Sequence, residues 1–385
     1  MKPAAADDGD VVAQILASAP AHVARARSAF VRMSADRYEI RGRLLDSGFI
    51  RPLPDEPGST DIVCVDGGTA VKGLYAGDLI VTAAVALEGG RPTGRIPEGA
   101  ETRSWTHLGV GHTTDPSRVA SAAMACAELR LLAEQPHDHV LIDGSHQTFV
   151  LALASALRSA GPLLSELVDL IDRWDIPQAL TKVCTDARII ASPKSDATDA
   201  FAKIVAADPV NLPTDLQQAL VGGDKVLAAM LLEPGEMTRP SPAPKSWSQL
   251  RIAHPELTGR AKAVAGALDT AIAPLRDAAA EGSTAGIGLT YVMPDDAVTA
   301  LKVEYKRTAT DAQVAHAART LADDTVAMHA QEPVCQFKAD AHAKAAMAAC
   351  DTLHGEIVRE VAEHGDDWVR YFVLSSRTAT AGAPT

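Results

Sequence analysis

Two aspartates stand at equivalent places in two apolar segments of the chain. Asp66 directly follows an apolar, β-branched run at residues 62–65, Asp143 follows a similar run at residues 139–142, and a glycine comes after each aspartate. If the two runs are neighbouring parallel strands, both carboxylates lie at one edge of the sheet, where open α/β sheets bind ligands. Carboxylates that close repel each other unless a cation lies between them. The pair therefore indicates a metal site, with two ordinary Asp-Gly turns as the alternative interpretation.

Glu128 is a third candidate ligand. It lies on the helix predicted before the second strand and shares a face with Met124, Leu131 and Leu132. A carboxylate buried among apolar side chains is costly without a partner, and a metal ion would satisfy it. An ion pair with Arg130 is the alternative. Hard oxygen ligands of this kind favour Mg²⁺ or Mn²⁺ over zinc.

The elements that must position these residues follow the order of an α/β protein with a mixed sheet. Strands are predicted near residues 61–65, 79–87, 108–111, 139–142, 188–194, 286–292 and 300–305, and helices near 10–47, 119–135, 149–157, 257–272, 309–329 and 338–362. A proline-rich break at residues 51–59 predicts a boundary between an N-terminal helical arm (1–57) and a main domain (58–385). That domain is expected to contain a helical insert at about 205–285, with a surface loop at 233–246.

The composition excludes several classes of protein. The chain has 385 residues, of which 47% are hydrophobic and 22% charged, as is typical of globular proteins. It shows neither a membrane-spanning apolar run nor a signal-peptide pattern, so we expect a cytoplasmic protein. Five widely spaced cysteines predict buried thiols rather than disulfides or a zinc site. A net charge of −13 argues against a protein that coats nucleic acid but agrees with an enzyme whose carboxylates hold metal ions.

Three short motifs, in this order, resemble the signatures of the NurA nuclease family. They are Ile-Val-Cys-Val-Asp-Gly-Gly at residues 62–68, Val-Leu-Ile-Asp-Gly-Ser at 140–145 and Ala-Ser-Pro-Lys-Ser at 191–195. A strand with Glu304 and a degenerate segment at residues 333–342 continue the pattern. The resemblance spans roughly residues 60 to 350, and the order and spacing of the motifs carry it.

The resemblance implies a ribonuclease H-like sheet flanked by helices, a requirement for Mn²⁺ (or Mg²⁺), and degradation of DNA from its ends. It also implies a homodimer that works with a hexameric HerA-type ATPase, which translocates DNA. Asp66, Glu128 and Asp143 would be the metal ligands, and Lys194 would lie near the scissile phosphate. Either His342 or Asp340 would complete the site. Carboxylates so arranged can hold two ions about 4 Å apart, and such a pair hydrolyses phosphodiester bonds.

Departures from the family pattern leave other functions open. The first motif has Gly68 in place of serine, and Thr69 could supply the hydroxyl. The degenerate C-terminal segment is compatible with a non-catalytic adaptor that binds a helicase ring, and a nucleotide phosphohydrolase is a third hypothesis. No nucleoside-triphosphate-binding P-loop motif occurs, so ATP-driven movement of DNA would need a partner. Lys302, Lys306 and Arg307 indicate a solvated face or a local phosphate-binding strip. The predicted function is a metal-dependent DNA exonuclease in DNA end processing, repair or antiviral defence.

Overall fold

A mixed sheet, with ten strands in the described part of the chain, forms the centre of the computed structural model. The structure describes residues 17, 20, 35–74, 77–90, 93–96, 100–109, 112, 115–158, 163–194, 199–207, 223–243, 248–281, 286–295, 297–325 and 332–364. Of the predicted N-terminal arm, residues 35–46 are helical (α1). Most of the preceding part of that arm lies outside the described residues.

The other elements of the described chain have the following bounds. The strands are β1 (Ile50–Pro52), β2 (Ile62–Gly73), β3 (Asp78–Glu88), β4 (Ala100–Leu108), β5 (His139–Ile142), β6 (Ile189–Ala191), β7 (Glu236–Thr238), β8 (Ser241–Pro242), β9 (Ile287–Met293) and β10 (Leu301–Lys306). The helices after α1 are α2 (Pro116–Glu134), α3 (His146–Leu157), α4 (Leu163–Arg173), α5 (Ile176–Thr185), α6 (Ala200–Ala207), α7 (Asp224–Leu231), α8 (Gly259–Glu281), α9 (Asp311–Asp323) and α10 (Val334–His364).

The central strands combine an antiparallel meander with parallel pairing. Strands β2, β3 and β4 form an antiparallel meander, whereas β5 lies parallel to β2 and β6 lies parallel to β5. The full order is β1-β7-β9-β10-β6-β5-β2-β3-β4, and β8 pairs with β9. The predicted mixed α/β fold is confirmed. Because β2 and β5 are parallel neighbours, the residues that follow their apolar runs meet at one edge, as the sequence predicted.

Helices cover both faces of the sheet. Val63 and Val65 of β2 belong to a core shared with α2, α3, α4, α5 and α8. Ile62 and Cys64 belong to the opposite core, which is shared with α9 and α10. Burial on both faces explains why these strands read as continuous apolar runs. Since side chains alternate along a strand, Asp66 continues the α10 side and the next residue, Gly67, continues the α2 side.

Some predicted elements differ from those observed. The strand predicted at 108–111 is the end of β4, which begins at Ala100; residues 110–111 lie outside the described part of the chain. Strand β4 lies at the edge of the sheet and consists mostly of polar residues, so no apolar run marks it. The expected surface loop at 233–246 contains β7 and β8, which pair with β9. Strands of two or three residues are too short to give a periodic pattern.

Other expectations about the chain agree with the structure. All five cysteines are free and buried. Among the described helices, none combines the length and the apolar character needed to cross a membrane. The two C-terminal helices form close to their predicted places, although α9 ends at Asp323 and α10 begins directly after Pro333. Proline is favoured at a helix start because its missing N–H has no partner there in any case.

Candidate metal centre

Three aspartates converge at the edge of the sheet. Asp66, Asp143 and Asp340 each offer a carboxylate oxygen, and these oxygens all lie within 4.8 Å of one another. Asp66 lies on β2 just past the last residue paired with β5, and Asp143 follows β5 directly. The Asp143 N–H donates to the carbonyl of Val65 at 3.2 Å, which continues the parallel pairing by one residue. Asp340 reaches the same place from the second turn of α10. The parallel β2–β5 pair therefore brings the first two together, and α10 adds the third.

The turn after Asp143 is set by the next two residues. Gly144 has a φ of 135°, a conformation that favours glycine because it has no Cβ. Ser145 then caps α3, since its hydroxyl accepts a hydrogen bond from the Gln147 N–H. The chain thus leaves the strand sharply at Asp143 and leaves its carboxylate at the sheet edge.

Both oxygens of Asp143 have partners. Its Oδ2 lies 2.6 Å from the ammonium of Lys194. The side-chain amide of Gln336 donates to Oδ1 at 2.6 Å and to the carbonyl of Ser192 at 2.9 Å. Sequence reasoning did not single out Gln336. Its signal is its spacing, because residues four apart on a helix share a face, and Gln336 precedes Asp340 by four.

Lys194, which the sequence resemblance places near the scissile phosphate, lies among the carboxylates of this site. Besides Asp143, its ammonium lies 3.3 Å from Glu332 and 3.3 Å from Asp340. Burial would lower the pKa of Lys194, but the hydrogen bond to Asp143 and the surrounding carboxylates raise it above its ordinary value. Asp340 also pairs with Lys344 at 2.7 Å. Among the described residues, carboxylates outnumber ammonium groups here, so the site attracts a further cation.

Burial and repulsion favour protonated carboxyls at this site. Burial, reinforced by repulsion from Asp143, raises the pKa of Asp66 to about 8, although Lys194 and the Gly67 N–H act in the opposite direction. Burial and the same aspartates raise the pKa of Glu128 well above its ordinary value. Buried oxygen ligands that retain protons near neutral pH suit a divalent cation, which would replace those protons. The donor set therefore fits Mn²⁺ or Mg²⁺.

Glu128 approaches Asp66 from the other face of the sheet. Its side chain is buried on α2, and a Cβ added at Gly67 would lie 2.4 Å from its Oε1. A glycine at this position is therefore what lets the carboxylate reach β2. The alternative pair with Arg130 does not form, because Arg130 binds Glu134 at 2.7 Å. Glu128 lies within electrostatic reach of both Asp66 and Asp143, beside the three-aspartate cluster rather than in it.

The missing serine of the first motif has a steric reason. A Cβ at Gly68 would lie 2.7 Å from Cγ of Met347 and 3.0 Å from the carbonyl oxygen of Ala343, both on α10. A serine would therefore push away the helix that carries Asp340. The hydroxyl of Thr69 donates to the carbonyl of Val81 at 3.4 Å, so it is used within the sheet.

His342 and Asp340 occupy different positions although only two residues separate them. His342 is exposed, and its Nδ1 lies 3.0 Å from the Lys338 carbonyl on the same helix. Its ring is not a member of the metal cluster, which includes Asp340 instead. A two-residue step on a helix turns the side chain by about 200°, which separates the two residues.

The expectations for Lys302 and Lys306 were wrong. Both side chains are buried, so they form neither a solvated face nor an accessible phosphate-binding strip. The ammonium of Lys306 donates to the carbonyl of Ile189 at 3.0 Å and contacts the ring of His146. Since every residue of β10 is buried, the alternation that would mark a solvated face is absent.

Comparison with known structures finds proteins of similar fold. The crystal structure of the NurA nuclease from Sulfolobus solfataricus matches with a TM-score of 0.54 and 12% sequence identity, over 91% of this chain and 97% of that one. A crystal structure of NurA matches with a TM-score of 0.49 at 12% identity, over 90% of this chain and 98% of that chain. A NurA structure with manganese matches with a TM-score of 0.47 at 12% identity, over 87% and 97% of the two chains. No protein-family model and no curated protein sequence matches the chain.

The match to the Sulfolobus protein extends over 91% of this chain and 97% of that one. At 12% identity, such a match is evidence for a common fold. The chain has the fold of the NurA nuclease.

Proposed function

We propose that this protein is a metal-dependent deoxyribonuclease that hydrolyses phosphodiester bonds. The observation that carries the proposal is the convergence of Asp66, Asp143 and Asp340 within 4.8 Å, on a fold shared with a nuclease. Lys194 offsets only part of the negative charge of these buried and partly buried carboxylates, so a divalent cation would stabilise the cluster further. An ammonium in the same cluster suits a phosphate-containing substrate.

The proposed metal ligands divide into two sets that share Asp66. Asp66, Asp143 and Asp340 would hold one divalent ion, and Asp66 with Glu128 would hold a second on the side of α2. Bound ions of this kind supply Lewis acidity and an activated water for phosphodiester hydrolysis. The raised pKa of Asp66, caused by burial and by Asp143, means that ion binding competes with a proton. We assign Asp340, rather than His342, as the residue that completes the site, since only Asp340 is in the cluster.

Lys194 is proposed to stabilise the phosphate that undergoes cleavage. About a third of its side chain is exposed, and its ammonium contacts Asp143. A positive charge fixed beside the reacting phosphate stabilises the negative charge that develops in the transition state. Gln336 holds Asp143 from the other side and is proposed to position that carboxylate.

DNA is the proposed substrate, with cleavage from DNA ends. The sequence resemblance to the NurA family supports this choice, and it supports a homodimer working with a HerA-type hexameric translocase. The net charge of −13 is compatible with that arrangement, because a partner ring can capture DNA while this chain supplies the hydrolytic site. DNA end processing, in repair or in defence against foreign DNA, is the proposed cellular role.

Degradation of end-labelled linear DNA by the purified protein with Mn²⁺ tests this function. We expect loss of label or a shortening ladder with the wild-type protein, no degradation with Asp143→Asn, and normal degradation with Asp172→Asn. Asp172 is an exposed aspartate on α4 and serves as the matched control. If the purified protein does not cleave DNA, either alone or together with the partner ATPase and ATP, the nuclease proposal is wrong.

A further inference from the structure

A cavity of about 480 Å³ adjoins the candidate metal centre through Lys194. The first turns of α7 form one wall, and the loop between β9 and β10 forms the other. The side chain of Lys194 lines this cavity, while its ammonium contacts Asp143 at 2.6 Å. Any ligand in the cavity therefore lies beside the phosphate that Lys194 would contact.

The cavity wall is apolar, and part of that apolar surface is exposed. Val226 and Val298 line it, with exposed fractions of 42% and 61%. They are two of the seven large apolar side chains that are exposed in the described part of the chain. Met230 and Ala229 extend the same wall. Exposed apolar side chains gathered in a concave site indicate a ligand with an apolar face.

Two lysines, Lys194 and Lys225, line the cavity beside the metal centre. The ammonium of Lys225 donates to the carbonyls of Pro193 and Lys194, both at 3.3 Å. It therefore lies on the short loop that also carries the Lys194 side chain. The cavity thus combines an apolar wall with two ammonium groups at one end, an arrangement that suits a planar base attached to a phosphate.

We propose that this cavity binds the base of a nucleotide adjoining the scissile phosphate. The proposal rests on the proposed function and names the part of the substrate that the site recognises besides the phosphate. The base would lie against Val226 and Val298, while the phosphate would lie toward Lys194 and the aspartates. Contact with an apolar wall tolerates any base, because every base has an apolar face.

Two small ligands separate recognition of a base from recognition of a phosphate. Deoxyadenosine 5′-monophosphate carries both groups, whereas 2-deoxyribose 5-phosphate carries the phosphate alone. Calorimetry with the full-length protein and Mn²⁺ would compare them. We expect the nucleotide to bind at least tenfold more tightly than the sugar phosphate. Equal affinities of the wild-type protein for the two ligands would overturn the proposal.

Substitutions at the cavity wall locate the binding. Asparagine is close to valine in size, and both valines are exposed, so Val226→Asn and Val298→Asn are compatible with the fold. The double variant is expected to weaken nucleotide binding by about tenfold, through loss of apolar contact, and to leave sugar-phosphate binding unchanged. Leu151→Asn on α3, with an exposed fraction of 54%, is the matched control and should change neither affinity.

The outcomes distinguish this proposal from the nuclease proposal. If the wild-type protein binds the nucleotide through these valines but degrades no DNA, the base-binding site stands and the nuclease function fails. If it degrades DNA while the double variant binds both ligands as the wild-type protein does, the nuclease function stands and the base-binding site is wrong.

Discussion

The metal-free protein is predicted to lose stability as the pH rises, because Asp66 retains a proton in the folded state. Burial and the neighbouring Asp143 raise the pKa of Asp66 to about 8. In the unfolded chain an aspartate has a pKa of about 3.9. Between these two values the folded state binds one more proton than the unfolded state does. The free energy of unfolding should therefore fall by up to about 1.4 kcal/mol per pH unit, and by about 2 kcal/mol between pH 6 and pH 8, because half of Asp66 is already ionised at a pH equal to its pKa.

The Asp66→Asn variant isolates this contribution, because asparagine resembles the protonated acid and does not titrate. Urea unfolding in the presence of EDTA at pH 6, 7 and 8 gives the free energy of unfolding for both proteins. The difference in the free energy of unfolding between variant and wild type should grow by up to about 1.4 kcal/mol per pH unit in favour of the variant. From pH 6 to pH 8, this difference should grow by about 2 kcal/mol in total.

Mn²⁺ should reverse the fall in the free energy of unfolding with rising pH, and it should do so in the wild-type protein but not in the variant. Because the ion takes the place of the proton, its stabilising effect should be larger at pH 8 than at pH 6. The same pH dependence in both metal-free proteins would refute the reasoning, since it would mean that Asp66 is already ionised at pH 6. Equal stabilisation by Mn²⁺ in wild type and variant would refute it as well.

Three further predictions concern the surroundings of the aspartates. Gly68→Ser should lower the free energy of unfolding by about 1–3 kcal/mol because its Cβ would meet α10, and adding Met347→Ala should restore part of this loss. Urea unfolding measures both variants, and an unchanged midpoint for Gly68→Ser alone would contradict the close packing of α10 on β2. Lys194→Met should lower kcat for DNA cleavage by about a hundredfold while calorimetry still detects Mn²⁺ binding; an unchanged kcat would place the phosphate elsewhere. Glu128→Gln should reduce the Mn²⁺ stoichiometry from two ions to one, and a stoichiometry that stays the same as in the wild-type protein would exclude a second ion at Glu128.

The central strands of the sheet could be predicted from the sequence because their burial leaves a simple pattern of residues. A strand buried on both faces reads as a continuous apolar run, and a carboxylate after such a run stands out. Asp66 and Asp143 are of this kind, and their parallel strands bring them together as predicted. The short strands β7 and β8 and the edge strand β4 lack such a pattern, because neighbouring strands rather than their own residues define them.

The site residues contributed by α10 were harder to predict. Asp340 and Gln336 reach the site only because Gly68 lets the helix lie close to β2, a long-range contact that no local pattern encodes. The prediction for Lys306 was also wrong, because charged residues near a strand end usually face solvent and this one is buried. In the folded protein, Lys306 lies in a buried group with His146 and Glu304, which are distant in sequence.

Calorimetric titration of the metal-free protein with Mn²⁺ at pH 8 tests the central claim most directly, because it measures the metal centre without requiring DNA or a partner. The wild-type protein and the Asp172→Asn control should bind Mn²⁺ with the same affinity. Asp143→Asn should bind at least a hundredfold more weakly, since the three-aspartate cluster loses the negative charge of one of its carboxylates. Wild-type affinity in Asp143→Asn would contradict a metal centre at this edge of the sheet.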